Sequence, residues 1–216
     1  MRMTPLALLY LCSTGAWAQA GDEGTFSIRR GGREIGREEF AIVAGRHGGA
    51  PGTTITSRVR IPAVVPEFTQ EASVERRADG SFVAAGVFHT SPNSGGRVLA
   101  EIARGVLRVH SAYGGSESIR EYPAQETLIV LADSAFTLLV AAVDFATPEG
   151  RRLVGLYPVS GRRVSLTAQR SPGNAPGETR ILLAGDIAGT IWLDGSGNMA
   201  RLEFPAFNIE LIRLRR

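Results

Sequence analysis

The three histidines, His47, His89 and His110, have the widest catalytic repertoire of any side chains in this chain. Imidazole acts as a general base or a metal ligand, and either use needs a second functional group nearby. None of the three has another histidine at metal-ligand spacing, and none lies in a cluster of Cys, His, Asp and Glu. The sequence therefore predicts no catalytic residue, no metal ligand and no cofactor.

Two serine-containing segments are considered as sites of a catalytic serine nucleophile. GGSES (114–118) and DGSGN (194–198) are not G-x-S-x-G at a strand-to-helix junction. DGSGN also lacks the alternating carboxylates and the closing glutamate of a calcium loop. Both segments are better explained as hairpin turns.

Asp186 is the charged residue that looks most misplaced. It falls within the apolar run ILLAGDIAGTIWLD, which the pattern predicts as a strand, on the same face as Trp192. The flanking residues Gly185 and Gly189 favour a bulge or an edge that faces water. The alternative is a polar group at the rim of a cavity, where it would orient a ligand.

The elements that must position these side chains are mainly strands. In GTFSIRRGGREIGREEFAIV, four apolar residues share one face of a hairpin: Phe26, Ile28, Phe40 and Ile42. Gly36 lies on that same face and predicts a bulge or a close backbone approach. The dipeptide Asp79-Gly80, between two further strand patterns, is a strong hairpin signal. About ten strands with short connections predict antiparallel meanders.

The segment DSAFTLLVAAVDFATP departs from this alternation. It places apolar residues at helical spacing: Ala135, Leu138, Leu139, Ala142 and Val143. Phe136 lies off that stripe and is apolar too, so a helix over about 134–146 would be apolar nearly all round, as buried helices are. Asp133 or Ser134 is expected to cap its first turn. The helix is too short to span a membrane.

Two predicted strands, SFVAAGVFH and ILLAGDIAGTIWLD, are apolar on both faces. A sheet with one face in water does not give this pattern, so both faces are expected to be covered locally, one of them by the helix. The predicted fold is therefore mainly β: an antiparallel, strongly curved sheet or open barrel wrapped around one apolar helix.

Residues 1–20 have the features of a secretory signal peptide in the expected order. Arg2 precedes the apolar run 6–11, and two small-x-small cleavage sites follow, at 16–18 and 18–20. Cleavage would remove Cys12, the only cysteine. The sequence predicts that residues 21–216 form a single β-rich domain in the periplasm or outside the cell, with no transmembrane span.

All 24 basic residues are arginines, and the formal excess of positive charge is three. Several arginines occur in pairs next to predicted turns: 29–30, 76–77, 151–152 and 162–163. We interpret these pairs as solvated strand ends that blunt sheet edges. The arginines do not cluster on one face with aromatic residues between them, so the sequence predicts no nucleic-acid partner.

Two motifs carry a family resemblance. FSIRRGGREIGREEFAI resembles the opening strand pair, with a G-x-x-I-G core, of uncharacterised secreted bacterial domains. IWLDGSGNMARLEFP is similar to the W-x-D-x-x-G-x-x-x-R/L hairpin near their C-termini, and GRRLVGLYPVSGRRVSL fits a strand pair between the two. Those domains look distantly like the lipoprotein carriers LolA and LolB. That resemblance implies a half-barrel around an apolar helix that shelters acyl chains, and it implies no catalytic residues.

The first functional hypothesis is a soluble periplasmic or secreted protein that binds an apolar, acyl- or lipid-like ligand in a half-barrel cavity. The residues expected to line it are Phe88, Phe136, Leu139, Asp186 and Trp192. The alternative is a structural or interaction module of the envelope, with a filled core, no ligand and a protein partner. An enzyme of unrecognised type, with Asp186, His89 and Tyr157 in a cleft, and an outer-membrane barrel are the remaining alternatives.

Overall fold

The computed structural model describes residues 21–47, 49–62, 68–90 and 95–214, and the predicted signal peptide lies outside these ranges. Over these residues the chain forms fifteen strands, numbered β1 to β15 in chain order: Glu23–Arg30, Arg33–His47, Ala50–Ile61, Phe68–Arg77, Phe82–Thr90, Gly96–Ala103, Val106–Tyr113, Ser116–Pro123, Leu128–Val130, Arg151–Tyr157, Arg162–Pro172, Thr179–Gly185, Gly189–Leu193, Met199–Phe204 and Ile209–Arg213. Two 3₁₀ helices accompany them: η1, Phe136–Ala142, and η2, Pro205–Phe207.

The strands form one open sheet in the order β8-β7-β6-β5-β4-β3-β2-β1-β15-β14-β13-β12-β11-β10-β9. Neighbouring strands are antiparallel except β9, which runs parallel to β10. Strand β1 pairs with both β2 and β15 and so joins the first half of the sheet to the second. The prediction of a mainly β, largely antiparallel fold is confirmed, whereas the number of strands exceeds the ten expected.

The β1–β2 hairpin has the buried face that its alternation predicts. Phe26, Ile28, Phe40 and Ile42 are all buried, and we call the face that carries them the inner face. The register shifts next to Ile28, whose partner is Gly36. A Cβ on Gly36 would lie 2.5 Å from the Arg60 carbonyl oxygen, so the predicted bulge and close backbone approach are both present.

The apolar segment forms a shorter helix than predicted. Helix η1 has seven residues in place of the stretch 134–146, and Thr137 to Ala142 are buried. Neither Asp133 nor Ser134 caps it. The N-cap residue is Ala135, and no side-chain capping hydrogen bond is present there. β-Branched residues such as Thr137 and Val140 have a lower α-helix propensity than unbranched residues. This is consistent with a short 3₁₀ helix in place of a longer α-helix.

Arg76 corrects the interpretation of the arginine pairs as solvated strand ends. Its guanidinium forms an ion pair with Asp144, and the two side chains are 5% and 6% exposed. Arg76 has the same parity along β4 as the buried residues Ala72 and Val74, so the regular alternation of the strand directs it inward. Asp144 follows η1 in the chain, so this pair fastens the end of the helical segment to β4.

The outer face of β5 is less covered than predicted. Phe88 is 45% exposed, and Leu99 on neighbouring β6 is exposed beside it. The bulge in the β4–β5 pairing places Phe82 on the same inner face as Ala85 and Val87, although Phe82 differs from them in parity. The strand therefore looked apolar on both faces partly because its alternation changes phase at the bulge.

Within the described ranges, none of the helices has the length and apolar character needed to cross a membrane.

Candidate ligand pocket

A pocket of about 300 Å³ lies at the end of the sheet where β1, β10, β12 and β14 finish. It opens among four connections: the segment 131–136 that leads into η1, and the turns after β10, β12 and β14. Its described lining residues are mostly apolar or aromatic: Arg30, Leu131, Ala132, Asp133, Ala135, Phe136, Leu139, Tyr157, Arg162, Asp186, Ile187, Phe204, Phe207 and Ile209. Apolar lining with a few polar groups is typical of small-molecule sites.

Phe136 and Leu139 form the wall that η1 contributes. The Phe136 ring packs against Phe204 of β14, with ring centroids 5.3 Å apart. Leu139 is buried, whereas Phe207 in η2 is 56% exposed at the rim. Asn208 follows η2, and its left-handed backbone conformation turns the chain into β15. The wall thus combines rigid core side chains with one aromatic ring that faces solvent.

Glu38 on β2 holds η1 in this position. Its carboxylate accepts hydrogen bonds from the backbone N–H groups of Phe136 and Thr137, at 3.1 and 2.9 Å. It also accepts from the hydroxyl groups of Thr137 and Ser57, at 2.5 and 2.7 Å. A helix leaves its first N–H groups without partners, and here a side chain from the sheet supplies the acceptor.

Burial raises the pKa of the Glu38 carboxyl to about 7, and the hydrogen bonds from Thr137 and Ser57 oppose this rise. The carboxyl is fully buried. Desolvation therefore outweighs four stabilising contacts, so the ionised form is costly in this position.

Charged side chains form the polar part of the rim. Arg162 lies over the Tyr157 ring, 4.3 Å from its centroid. Burial raises the pKa of the Tyr157 hydroxyl, and the nearby Arg162 partly offsets this. Asp186 accepts a 2.7 Å hydrogen bond from the Ser165 N–H, which ties the β12–β13 connection to β11. The rim therefore presents both signs of charge around an apolar interior.

The structure brings together three of the five residues predicted to line a cavity. Phe136, Leu139 and Asp186 border the pocket, whereas Phe88 and Trp192 are absent from the described lining. Phe88 lies on the outer face. Trp192 is buried on that face between two arginines, Arg180 and Arg201, whose guanidinium carbons lie 5.9 and 4.8 Å from its ring centroid.

The sequence pattern places Asp186 within a strand, and this prediction is wrong. It lies in the connection between β12, which ends at Gly185, and β13, which begins at Gly189. Gly185 has a φ of 115°, a left-handed conformation that strains residues with a side chain. The two glycines therefore break one apolar run into two strands and expose Asp186 at the turn.

The histidines occupy three separate places. His47 contacts Glu75 and Thr54, each at 3.1 Å. His89 stacks on Tyr113, and His110 lies 3.5 Å from Glu117. None of them is among the described residues that line the pocket, and the described part of the chain contains no group of three or more potential metal ligands.

Glu38 is the functional candidate that the sequence reasoning missed, although a signal was present. It lies between Gly36 and Phe40 and shares the buried parity of the hairpin face. A carboxylate at such a position needs donors from another element. The aromatic residues Phe204 and Phe207 had no local signal, because only the strand order brings them beside η1.

Two larger hollows, of about 620 and 820 Å³, are lined to a greater extent by charged and polar residues. The first is bordered mainly by charged residues of β2 and β3, including Arg37, Glu39 and Arg58. The second lies near Asp22, Asp194 and Arg213. The charged side chains at these hollows make them less suited to an apolar ligand than the pocket beside η1.

No protein-family model matches the chain, and a search of curated proteins finds no match. Among solved structures, the chain is similar to a DUF1089 family protein from Pseudomonas aeruginosa, whose crystal structure was determined at 1.80 Å resolution. The two are 14% identical, with a TM-score of 0.46, over 96% of this chain and 98% of the other. This likeness carries no functional inference, and the resemblance to LolA and LolB stays a prediction.

Proposed function

We propose that the chain is an exported protein of the bacterial envelope, periplasmic or secreted, that binds an apolar, acyl- or lipid-like ligand. The observation that carries the proposal is the pocket bordered by Phe136, Leu139 and Phe204. Its volume is at the lower limit of about 300–1,000 Å³ for small-molecule sites. It therefore suits a compact apolar group or one end of an acyl chain. The signal-peptide pattern supports export.

In this proposal the sheet curls around η1 as a half-barrel. The bonds from Phe136 and Thr137 to Glu38 support this arrangement, as does the complete burial of Leu138 and Val140. Residues on β3 and β9 lie close to η1 as well. A ligand between η1 and the strand ends would then be sheltered on one side by helix and on the other by Phe204.

The fluorescent probe 8-anilinonaphthalene-1-sulfonate offers a direct test. With about 21 non-hydrogen atoms and about 0.3 kcal/mol per atom, it should bind with about 6 kcal/mol, a dissociation constant of tens of micromolar. Phe207→Ala would remove about 50 Å² of apolar contact and weaken binding about eightfold. Fluorescence titration measures both values.

Phe88→Ala is the matched control, because Phe88 is similarly exposed but lies on the outer face of β5. We expect it to leave probe affinity unchanged. Equal affinities of wild type and Phe207→Ala, or no probe binding to the wild type, would contradict the proposed pocket.

A second candidate, an envelope interaction module, is favoured by one specific observation. Phe88, Leu99 and Ile119 are exposed on β5, β6 and β8, on the face opposite the pocket. Apolar surface of this kind marks interaction sites in many proteins. Loss of probe binding in Phe88→Ala, with Phe207→Ala unaffected, would favour this candidate.

A further inference from the structure

A single carboxyl group accepts the hydrogen bonds that attach the start of η1 to the sheet. Four hydrogen-bond donors converge on Glu38, and three of them belong to Phe136 and Thr137 at the start of η1. The fourth is the hydroxyl of Ser57 on β3. The same helix carries Phe136 and Leu139 into the pocket wall. The protonation state of one buried side chain is therefore physically connected to the wall of the pocket.

No described charge faces this carboxyl from the elements packed against it. Phe26 of β1 and Val59 of β3 are its direct cross-strand partners, so they share its face of the sheet. Its four hydrogen-bond donors belong to Ser57, Phe136 and Thr137, none of which carries a charge. The nearest charged residues along the strands alternate onto the outer face and are exposed: Arg37, Glu39, Arg58 and Arg60.

An ionised Glu38 is thus a buried charge without a facing cation, and burial raises its pKa from 4.5 to about 7. If the first turn of η1 moves away, water reaches the carboxyl and its pKa returns toward the ordinary value. The attached arrangement therefore binds the proton more tightly than the detached one. By linkage, the proton favours attachment, and its loss favours detachment.

We infer that Glu38 is a proton-linked positioning residue of the pocket: with its proton bound it keeps η1 against the sheet, and loss of that proton loosens the wall formed by Phe136 and Leu139. The part of this inference that concerns the ligand rests on the proposed function. Ligand bound to the closed pocket would in turn favour proton uptake by Glu38, since linkage is reciprocal.

Hydrogen exchange of the full chain between pH 4.5 and 8 tests the inference. The protection of the amides in 136–142, corrected for intrinsic exchange rates, should fall as pH rises from 4.5 to 7 and level off above. The difference between the two pKa values limits this fall to about 300-fold. The amides of β14 serve as an internal reference and should not follow this course.

Glu38→Gln should abolish the pH dependence in 136–142, because glutamine does not titrate. Glu39→Gln is the matched control, since Glu39 is the exposed neighbour on the same strand, and it should retain the wild-type course. If Glu38→Gln does not fold, Thr137→Val replaces it. Loss of the Thr137 hydroxyl removes a bond that lowers the pKa, so the transition should move to higher pH.

Protection that does not change with pH in the wild type, or an equal change in Glu38→Gln, would overturn the inference. The anilinonaphthalene probe separates this inference from the proposed function. Affinity that falls with rising pH in the wild type but not in Glu38→Gln supports both. Absence of probe binding, with pH-dependent protection retained, refutes ligand binding and supports the link between Glu38 and η1.

Discussion

Asp144→Ala is expected to lower the free energy of unfolding by about 3–5 kcal/mol, the usual effect of removing one partner from a buried ion pair. Both side chains of the Arg76–Asp144 pair are almost inaccessible to solvent. Burial already lowers the pKa of the Arg76 guanidinium to about 10. Its Nε and Nη1 atoms have no hydrogen-bond partner among the described residues. Without Asp144 the buried cation would lose its ion-pair partner. Urea unfolding of the purified protein measures the change.

The exposed pair Arg108–Glu121 provides the control for Asp144→Ala. Its side chains are 57% and 53% exposed, so Glu121→Ala should change the unfolding free energy by less than about 1 kcal/mol. The double variant Arg76→Met/Asp144→Leu should recover much of the lost stability, because a buried pair can be replaced by apolar residues. A loss below about 1 kcal/mol in Asp144→Ala would show that the pair does not fasten η1 to β4.

The second large effect is on the pH dependence of global stability. The pKa of Glu38 is about 7 in the folded chain and about 4.5 in the unfolded chain. Between these values the folded protein binds more protons, so stability falls as pH rises. A difference of about 2.5 pH units corresponds to about 3 kcal/mol, present below pH 4.5 and lost by pH 7.

The contribution of Glu38 is isolated by comparing unfolding free energies of the wild type and Glu38→Gln at each pH. Hydrogen bonds lower the pKa values of Glu34 and Asp79. The stabilisation from these two carboxyls is complete above their unfolded pKa and is lost only at lower pH, outside the range in which Glu38 titrates. The difference between wild type and Glu38→Gln should decline by about 3 kcal/mol from pH 4.5 to 7. A difference that is constant within about 0.5 kcal/mol across this range would contradict the burial argument.

The buried faces and the bulge of the β1–β2 hairpin could be predicted from the sequence. Alternation identifies the buried face of Phe26, Ile28, Phe40 and Ile42, because the side-chain period of a strand is two. Gly36 marks the bulge for a related reason: only glycine lets the Arg60 carbonyl approach so closely. Both signals are confined to neighbouring residues, so no knowledge of the fold is needed to interpret them.

Contacts between elements far apart in the chain could not be predicted from the sequence. Arg76 looked like a solvated strand end, yet it meets Asp144, which lies 68 residues along the chain (144 − 76). Likewise, Phe204 reaches Phe136 only because β14 and η1 meet at one end of the sheet. Helix η1 is shorter than its apolar pattern indicated. The acceptor for its first N–H groups is Glu38, from a strand far away in the sequence.

The most direct test of ligand binding in the pocket is photolabelling with a dodecanoic acid that carries a diazirine on its chain. After irradiation, peptide mass spectrometry locates the labelled residues. We expect label on Phe136, Leu139 or Phe204, reduced when unlabelled dodecanoic acid competes. Label confined to Phe88, Leu99 and Ile119, or label that competition does not reduce, would contradict the assignment of this pocket as the binding site.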